Sequence, residues 1–149
     1  MSDNWLTFIP TDPQYLPSRE AAENARRLLA AFTPHSSAVT ATFKESAEFF
    51  DPGGNWSGVR CHICGADAEP WWPAAMDTAW DTHFSNLTVI ASCCGASVSL
   101  NELRYVWPAG FARFALEAMN PNISDLTAAE QGMLQETLGC RLRRIWVHI

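Results

Sequence analysis

The chain has 149 residues, 48% of them apolar and 17% charged, with seven tryptophans and a formal net charge of −6. That length suits a single domain, residues 1–149, which can bury roughly two thirds of its unfolded surface. No apolar run reaches the roughly 20 residues of a membrane span, and the acidity argues against wholesale phosphate binding, because nonspecific nucleic-acid affinity comes mostly from clustered Lys and Arg. Arg141, Arg143 and Arg144 near the C-terminus are a local exception.

The opening Met1-Ser2-Asp3-Asn4-Trp5 has neither the basic nor the apolar region of a secretory signal, so a reducing cytoplasm is the expected location. Pro10, Pro13 and Pro17 then punctuate a segment expected to lie extended over the body, anchored by Trp5, Phe8 and Tyr15. Ala25, Leu28, Leu29 and Phe32 recur at i, i+3, i+4 and i+7, which predicts an amphipathic helix over 18–32 ended by Thr33-Pro34. Val39, Ala41 and Phe43 alternate with Thr40, Thr42 and Lys44, predicting a half-buried strand with Ala47 to Phe50 as its partner. Asp51-Pro52-Gly53-Gly54-Asn55 is a loop by its turn chemistry.

Four thiols follow in two tight groups. Cys61-His62-Ile63-Cys64 and Cys93-Cys94 each run directly into a glycine, Gly65 or Gly95, and 28 residues lie between the groups. Thiolates are preferred ligands of zinc, and two short cysteine turns can close one tetrahedral site. The first pair has the strong C-x2-C form; the second is a bare Cys-Cys. Adjacent side chains on a straight strand point to opposite faces, so Cys93 and Cys94 share one ion only if the chain turns there. Tetrahedral coordination with Zn–S of about 2.3 Å requires the sulfurs to approach to about 3.8 Å. Gly95 permits such a turn. The expected ligands are Cys61, Cys64, Cys93 and Cys94, with His62 or His83 as the replacement for one of the adjacent pair. A disulfide framework is disfavoured by the expected compartment, and core filling by the pairing of four of the five cysteines.

Between the groups, Pro70 to Phe84 carries Met76, Ala79, Trp80 and Phe84 at helical spacing, with Pro73 suited to a first turn. Leu87 to Ala91 then reads as a strand that delivers the second pair, so the metal would tie together a strand–helix–strand, zinc-ribbon-like element over roughly 56–98. Leu103 to Trp107 suggests a further strand. Pro108 suggests the start of a helix with Phe111, Phe114, Ala115 and Ala118 on one face. Thr127-Ala128-Ala129-Glu130 has the form of a capping box for a helix that stops near Gly139, and Leu142 to Ile149 reads as a terminal strand. No internal repeat or low-complexity tract is visible. The fold class expected is α+β: an antiparallel sheet covered by helices, with the zinc-ribbon-like insertion.

Cys61-His62-Ile63-Cys64-Gly65, the tract Trp71-Trp72 to Ala79, Cys93-Cys94-Gly95-Ala96 with Ser99-Leu100-Asn101, and Trp107-Pro108-Ala109-Gly110-Phe111-Ala112-Arg113-Phe114 together resemble a family of small, uncharacterised bacterial cytosolic proteins with a zinc-ribbon-like CxxC…CC element. The resemblance spans most of the chain. It implies a cytosolic bacterial protein with a zinc-ribbon-like element and transfers no catalytic residue.

Other groups carry less. Asp77 and Asp81 stand one turn apart with His83 nearby, an arrangement usable as ligands or as an acid/base pair, but a solvated helix face is the favoured reading, since acidic residues are mostly exposed. Trp71-Trp72 with Trp56 and Trp107 suits either an aromatic recognition surface or core burial, and Cys140 suits a small buried hydrophobe. No phosphate-binding glycine loop and no G-x-S-x-G elbow is present. The leading expectation is a non-enzymatic binding or adaptor protein with structural zinc, its partner an unidentified protein or small molecule. The alternatives are a thiol redox or metal-responsive protein using Cys61/Cys64 or Cys93/Cys94, and a zinc hydrolase with Asp77, Asp81 or Glu69 as base. The deaminase form of that hydrolase lacks its H-x-E and P-C-x-x-C motifs.

Overall fold

Trp5-Leu6-Thr7-Phe8-Ile9 is apolar on both sides of the chain at nearly every position, the pattern of a strand buried on two faces. In a computed structural model, which describes residues 2–149, it is strand β1 (Asn4–Pro10), inside a four-stranded antiparallel sheet. The N-terminal segment is therefore not draped over the body: Leu6, Phe8 and Ile9 are core, and Pro10 comes at the strand's end, where a missing N–H costs least.

Helix α1 (Arg19–Phe32) begins at Ser18, whose Oγ accepts the Ala21 N–H at 3.0 Å, and ends where the Thr33 N–H donates to Leu29 O ahead of Pro34. Strand β2 (Ala38–Phe50) is continuous where two paired strands were expected. Its pairing jumps from Phe43↔Phe114 to Glu48↔Ala112, so the break at Lys44 to Ala47 is a bulge within one strand and not a hairpin.

The partner of β2 is β7 (Gly110–Met119), and here the expected helix after Pro108 is overturned. Phe111, Phe114, Ala115 and Ala118 fit helical spacing, but Ala112, Phe114, Leu116 and Ala118 fit a strand's period of two equally well. Placement between β1 and β2 decides the matter. Nearly the whole strand is buried, and its alanines allow close packing on both sides. Strand β8 (Leu142–His148) pairs with β1 from Asn4↔His148 to Pro10↔Leu142, giving the order β2-β7-β1-β8.

Helix α3 (Ala128–Leu138) has both halves of its capping box: the Glu130 N–H donates to Thr127 Oγ1 at 3.1 Å, and the Thr127 N–H to Glu130 Oε1 at 2.9 Å. Ala22, Ala25 and Leu29 of α1 and Leu134 and Leu138 of α3 pack with Leu6, Phe8, Phe114 and Leu116 of the sheet. Cys140 packs half-buried against the same cluster, where loss of solvent pushes its thiol up to about 11.

A second apolar cluster lies beneath the cysteine turns. It joins Val59, Cys61, Ala68, Ala79, Ala91 and Val98 to Ala47, Leu100, Tyr105 and Phe111. Phe111 packs against Phe49 and Phe84 with ring centroids 4.9 and 5.0 Å away, so the start of β7 belongs to this cluster while its later residues serve the helical one. Two short two-stranded sheets frame the turns: β3 (Val59–Arg60) with β6 (Arg104–Tyr105), and the hairpin of β4 (Thr88–Ile90) with β5 (Ser97–Ser99). Between them α2 (Trp72–Trp80) is shorter than the 70–84 expected, since His83 and Phe84 adopt left-handed backbone at φ 52° and 58°. Among the described residues no helix is long and apolar enough to cross a membrane.

Candidate metal centre

Each cysteine group sits on a tight turn, and the two turns have the same hydrogen-bond frame. In the first, the Cys61 N–H donates to Ala66 O at 2.9 Å and the Gly65 N–H to Cys61 O at 2.9 Å. In the second, Ala91 N–H donates to Ala96 O at 2.9 Å and Gly95 N–H to Ala91 O at 2.7 Å. Gly65 and Gly95 have φ of 76° and 75°, and a side chain there would meet open space. Glycine is needed for the left-handed backbone, not for room.

Superposing the frames aligns Val59-Arg60-Cys61-His62-Ile63-Cys64-Gly65-Ala66 with Val89-Ile90-Ala91-Ser92-Cys93-Cys94-Gly95-Ala96, at an offset of 30 residues. A short internal repeat is thus present where inspection of the sequence finds none. It escapes notice because Ala91 stands where the first turn has Cys61. Cys61 and Ala91 are both fully buried at the root of their turns. Cys94 corresponds to Cys64, while Cys93 stands at the third position, where the first turn carries Ile63. The chain does turn at the adjacent pair, as sharing one centre demands.

The four sulfurs of Cys61, Cys64, Cys93 and Cys94 lie within 4.8 Å of one another. Across the two turns, Cys61 Sγ is 3.9 Å from Cys94 Sγ, and Cys64 Sγ is 3.4 Å from Cys93 Sγ. A tetrahedral thiolate site with metal–sulfur bonds of about 2.3 Å has its sulfurs about 3.8 Å apart, so the cluster matches in size. Cys61 is buried and the other three are exposed as residues.

The charge chemistry of the thiols favours a cation. The amide N–H of Cys64, aided by that of Ile63 and opposed by burial, draws the Cys61 thiol down to about 7. Loss of solvent at the sulfur, together with the neighbouring Cys64 and Cys61 thiols, pushes Cys93 up to about 12, although the residue is exposed as a whole. Four thiolates this close repel one another, and a divalent ion among them reverses the balance. Cys93, outside the position that receives backbone donors, has another neighbour. The Trp71 indole N–H is buried without an acceptor at hydrogen-bond geometry, yet lies near enough to favour the Cys93 thiolate. Arg60 holds the first turn from the side, donating from Nη1 to Gly65 O at 3.0 Å.

Neither histidine expected as a replacement joins the cluster. His62 keeps its Nδ1 buried without a partner, and His83 is exposed with its ring edge-on to Trp80 at 5.0 Å. The candidate carboxylate bases are elsewhere: Asp77 and Asp81 are exposed, and Glu69 Oε1 accepts the Trp56 indole N–H at 3.2 Å. Of the aromatic group, Trp56, Trp71 and Trp72 are half-buried in the cluster below the turns, and Trp107 is 40% exposed. The three C-terminal arginines form no common patch. Arg144 pairs with Asp125 at 2.8 Å, Arg143 donates to backbone carbonyls, and Arg141 is exposed.

Comparison of the chain with protein-family models, with curated proteins and with solved structures finds no match. The functional reading therefore rests on the cluster of four cysteines and on the surface around it.

Proposed function

We propose that Cys61, Cys64, Cys93 and Cys94 bind one structural zinc ion, and that the protein is a non-enzymatic binding or adaptor module acting as one domain in the cytoplasm. The observation that carries the reading is the gathering of four sulfurs within 4.8 Å by two turns of the same backbone form. Zinc suits an all-sulfur tetrahedral donor set better than oxygen-seeking cations do. Four thiolates also leave no open position for water or substrate, which favours a scaffold over a hydrolase. The ion would tie together the zinc-ribbon-like element over roughly 56–98 and hold its surface in shape.

That surface supports a partner. Ile63 in the first turn, Trp80 at the end of α2, Ile90 on β4 and Val106, whose N–H donates to Gly58 O beside β3, are each more than half exposed. A groove of about 410 Å³ runs between α2 and β4, with Trp71, Ala75, Val89 and Ile90 in its walls. Apolar side chains clustered beside a rigid element are the composition of a protein-docking or small-molecule surface.

Metal analysis of the purified protein, with anomalous scattering at the zinc edge, tests the reading. About one zinc per chain, surrounded by the four sulfurs, is expected, with loss of the metal in Cys61→Ser. Metal-free protein with four freely alkylated thiols refutes it. The 3.4 Å approach of Cys64 to Cys93 favours one second reading, thiol redox chemistry. Oxidation would then link Cys64 to Cys93 across the turns, which peptide mass mapping distinguishes from a link within either pair.

A further inference from the structure

Arg143 is a half-buried cation without a counter-charge. Its Nη1 donates to Ala109 O at 2.8 Å, to Asn101 O at 3.0 Å and to Asn101 Oδ1 at 3.1 Å, all neutral acceptors. Among the described residues its Nη2 and Nε have no protein acceptor, and no carboxylate comes within ion-pair distance of the guanidinium. Glu102 acts on it only through its field, and burial pulls the guanidinium below its usual range. Charges withdrawn from water are ordinarily paired, because the desolvation cost is several kcal/mol per ion. Three carbonyl-type acceptors on one nitrogen meet part of that cost and leave the remaining donors open.

Beside this group is a cavity of about 300 Å³ lined by Leu103, Arg104, Tyr105, Pro108, Ala109 and Arg143. Its lining holds two guanidinium groups and no acid. Arg104, on β6, is exposed and among the described residues has no ion-pair partner. The Tyr105 hydroxyl is committed to Leu100 O at 2.8 Å and to the Trp72 indole N–H at 3.2 Å, so it does not quench the cations. The walls come from different parts of the chain: the cavity is open to solvent, and Arg143 on β8 is held at its edge by bonds to the 101–109 segment.

We propose that this cavity is a binding site for a small oxyanion, a carboxylate or phosphate group held between Arg143 and Arg104. The planar fork of a guanidinium matches both groups in two-point hydrogen bonding, and the fixed Arg143 supplies a prepositioned half of the site. The volume, at the lower end for ligand pockets, suits inorganic phosphate or a short dicarboxylate. The site is separate from the four thiols and does not depend on what metal they hold.

Calorimetric titration of the full-length protein with inorganic phosphate and, separately, with succinate, in chloride buffer of constant ionic strength, tests it. Binding of at least one probe with Kd of about 1 mM or tighter is expected, and the better probe identifies the group preferred. Arg104→Ala, which removes an exposed side chain outside the carbonyl clamp, should weaken that binding about tenfold or more with unchanged circular dichroism. Arg141→Ala, a nearby cation outside the cavity, should leave it within about twofold. No binding of either probe overturns the proposal. So does binding that Arg104→Ala leaves intact, or that Arg141→Ala weakens equally, which marks general electrostatics. Arg143→Lys is a second variant expected to weaken binding, and should it fail to fold, Arg104→Ala alone decides.

Discussion

Replacing Asn101 by alanine should destabilise the fold by about 2–4 kcal/mol, a large loss for one polar side chain. Asn101 is 3% exposed. Its Oδ1 accepts the Phe111 N–H at 3.0 Å and Arg143 Nη1 at 3.1 Å, and its Nδ2 donates to Thr11 O at 3.0 Å. One side chain thus binds β7, β8 and the segment after β1. Alanine leaves the fully buried Phe111 N–H without an acceptor, at about 1–3 kcal/mol, and removes one of three acceptors from a half-buried guanidinium, adding roughly 1 kcal/mol. Thr11 is exposed, so water replaces its lost donor at small cost. Asn101→Asp separates these terms. Its carboxylate can still accept from Phe111 and strengthens the bond to Arg143, but sets an oxygen against Thr11 O in place of the donation, which the exposed Thr11 can relieve by turning to water, so the cost at neutral pH should be below that of alanine. Urea unfolding at fixed metal content measures both. A loss below about 1 kcal/mol for Asn101→Ala, or equal losses for the two variants, refutes the argument.

The equivalence of the two turns predicts that Cys93→Ser loses metal affinity and that Ala91→Cys in the same chain restores much of it; failure of the double variant to regain metal, read by competition with a chromophoric chelator, disproves the shared frame. Tyr105 is buried and its hydroxyl is raised from 10.0 to about 12, chiefly by loss of solvent. The fold therefore holds the proton that the unfolded chain releases. Stability is full below about pH 10 and falls by about 2–3 kcal/mol as pH rises from 10 to 12, a slope that Tyr105→Phe should flatten in paired denaturation curves. Asp77→Ala and Asp81→Ala, both at exposed positions, should change stability by no more than about 0.5 kcal/mol and leave metal content unaltered; loss of metal from either would restore the carboxylate to the site.

The helices that carry their own signals were readable from the chain. Ser18 and the Thr127–Glu130 box mark α1 and α3 because capping is local chemistry, decided within four residues. The cysteines were readable for the same reason. Strand β7 was not, because an alanine-rich run fits two periods, and its neighbours β1 and β2, paired with it across 60 to 114 residues, choose between them. Strand β1 was masked by Pro10, Pro13 and Pro17, of which only Pro10 touches the strand, at its last residue. Arg143 was visible only as one of three neighbouring cations; that it has a cavity and no acid beside it depends on loop 101–109 folding back onto β8.

The altered second turn bears on how firmly the four sulfurs are held. At the first and fourth positions of such a turn the backbone itself supplies donors to sulfur, as Cys64 and Ile63 do for Cys61 and Ala96 does for Cys94. With Ala91 at the first of those positions and its cysteine at 93, the second turn lacks that backbone-supported sulfur, and a methyl group fills the buried space. Cys93 has instead the Trp71 indole, at the entry to α2, as a neighbour whose N–H favours its thiolate. The helix between the two turns thereby acquires a part in the site that its spacing does not announce. Its start is positioned by the cluster beneath it, where Trp72 packs on Phe49 and Trp56 at 5.6 and 5.2 Å. Any ion held by these thiols is therefore tied through Trp71 and Trp72 to the end of β2, and a disturbance of that aromatic packing should loosen Cys93 before it loosens Cys61.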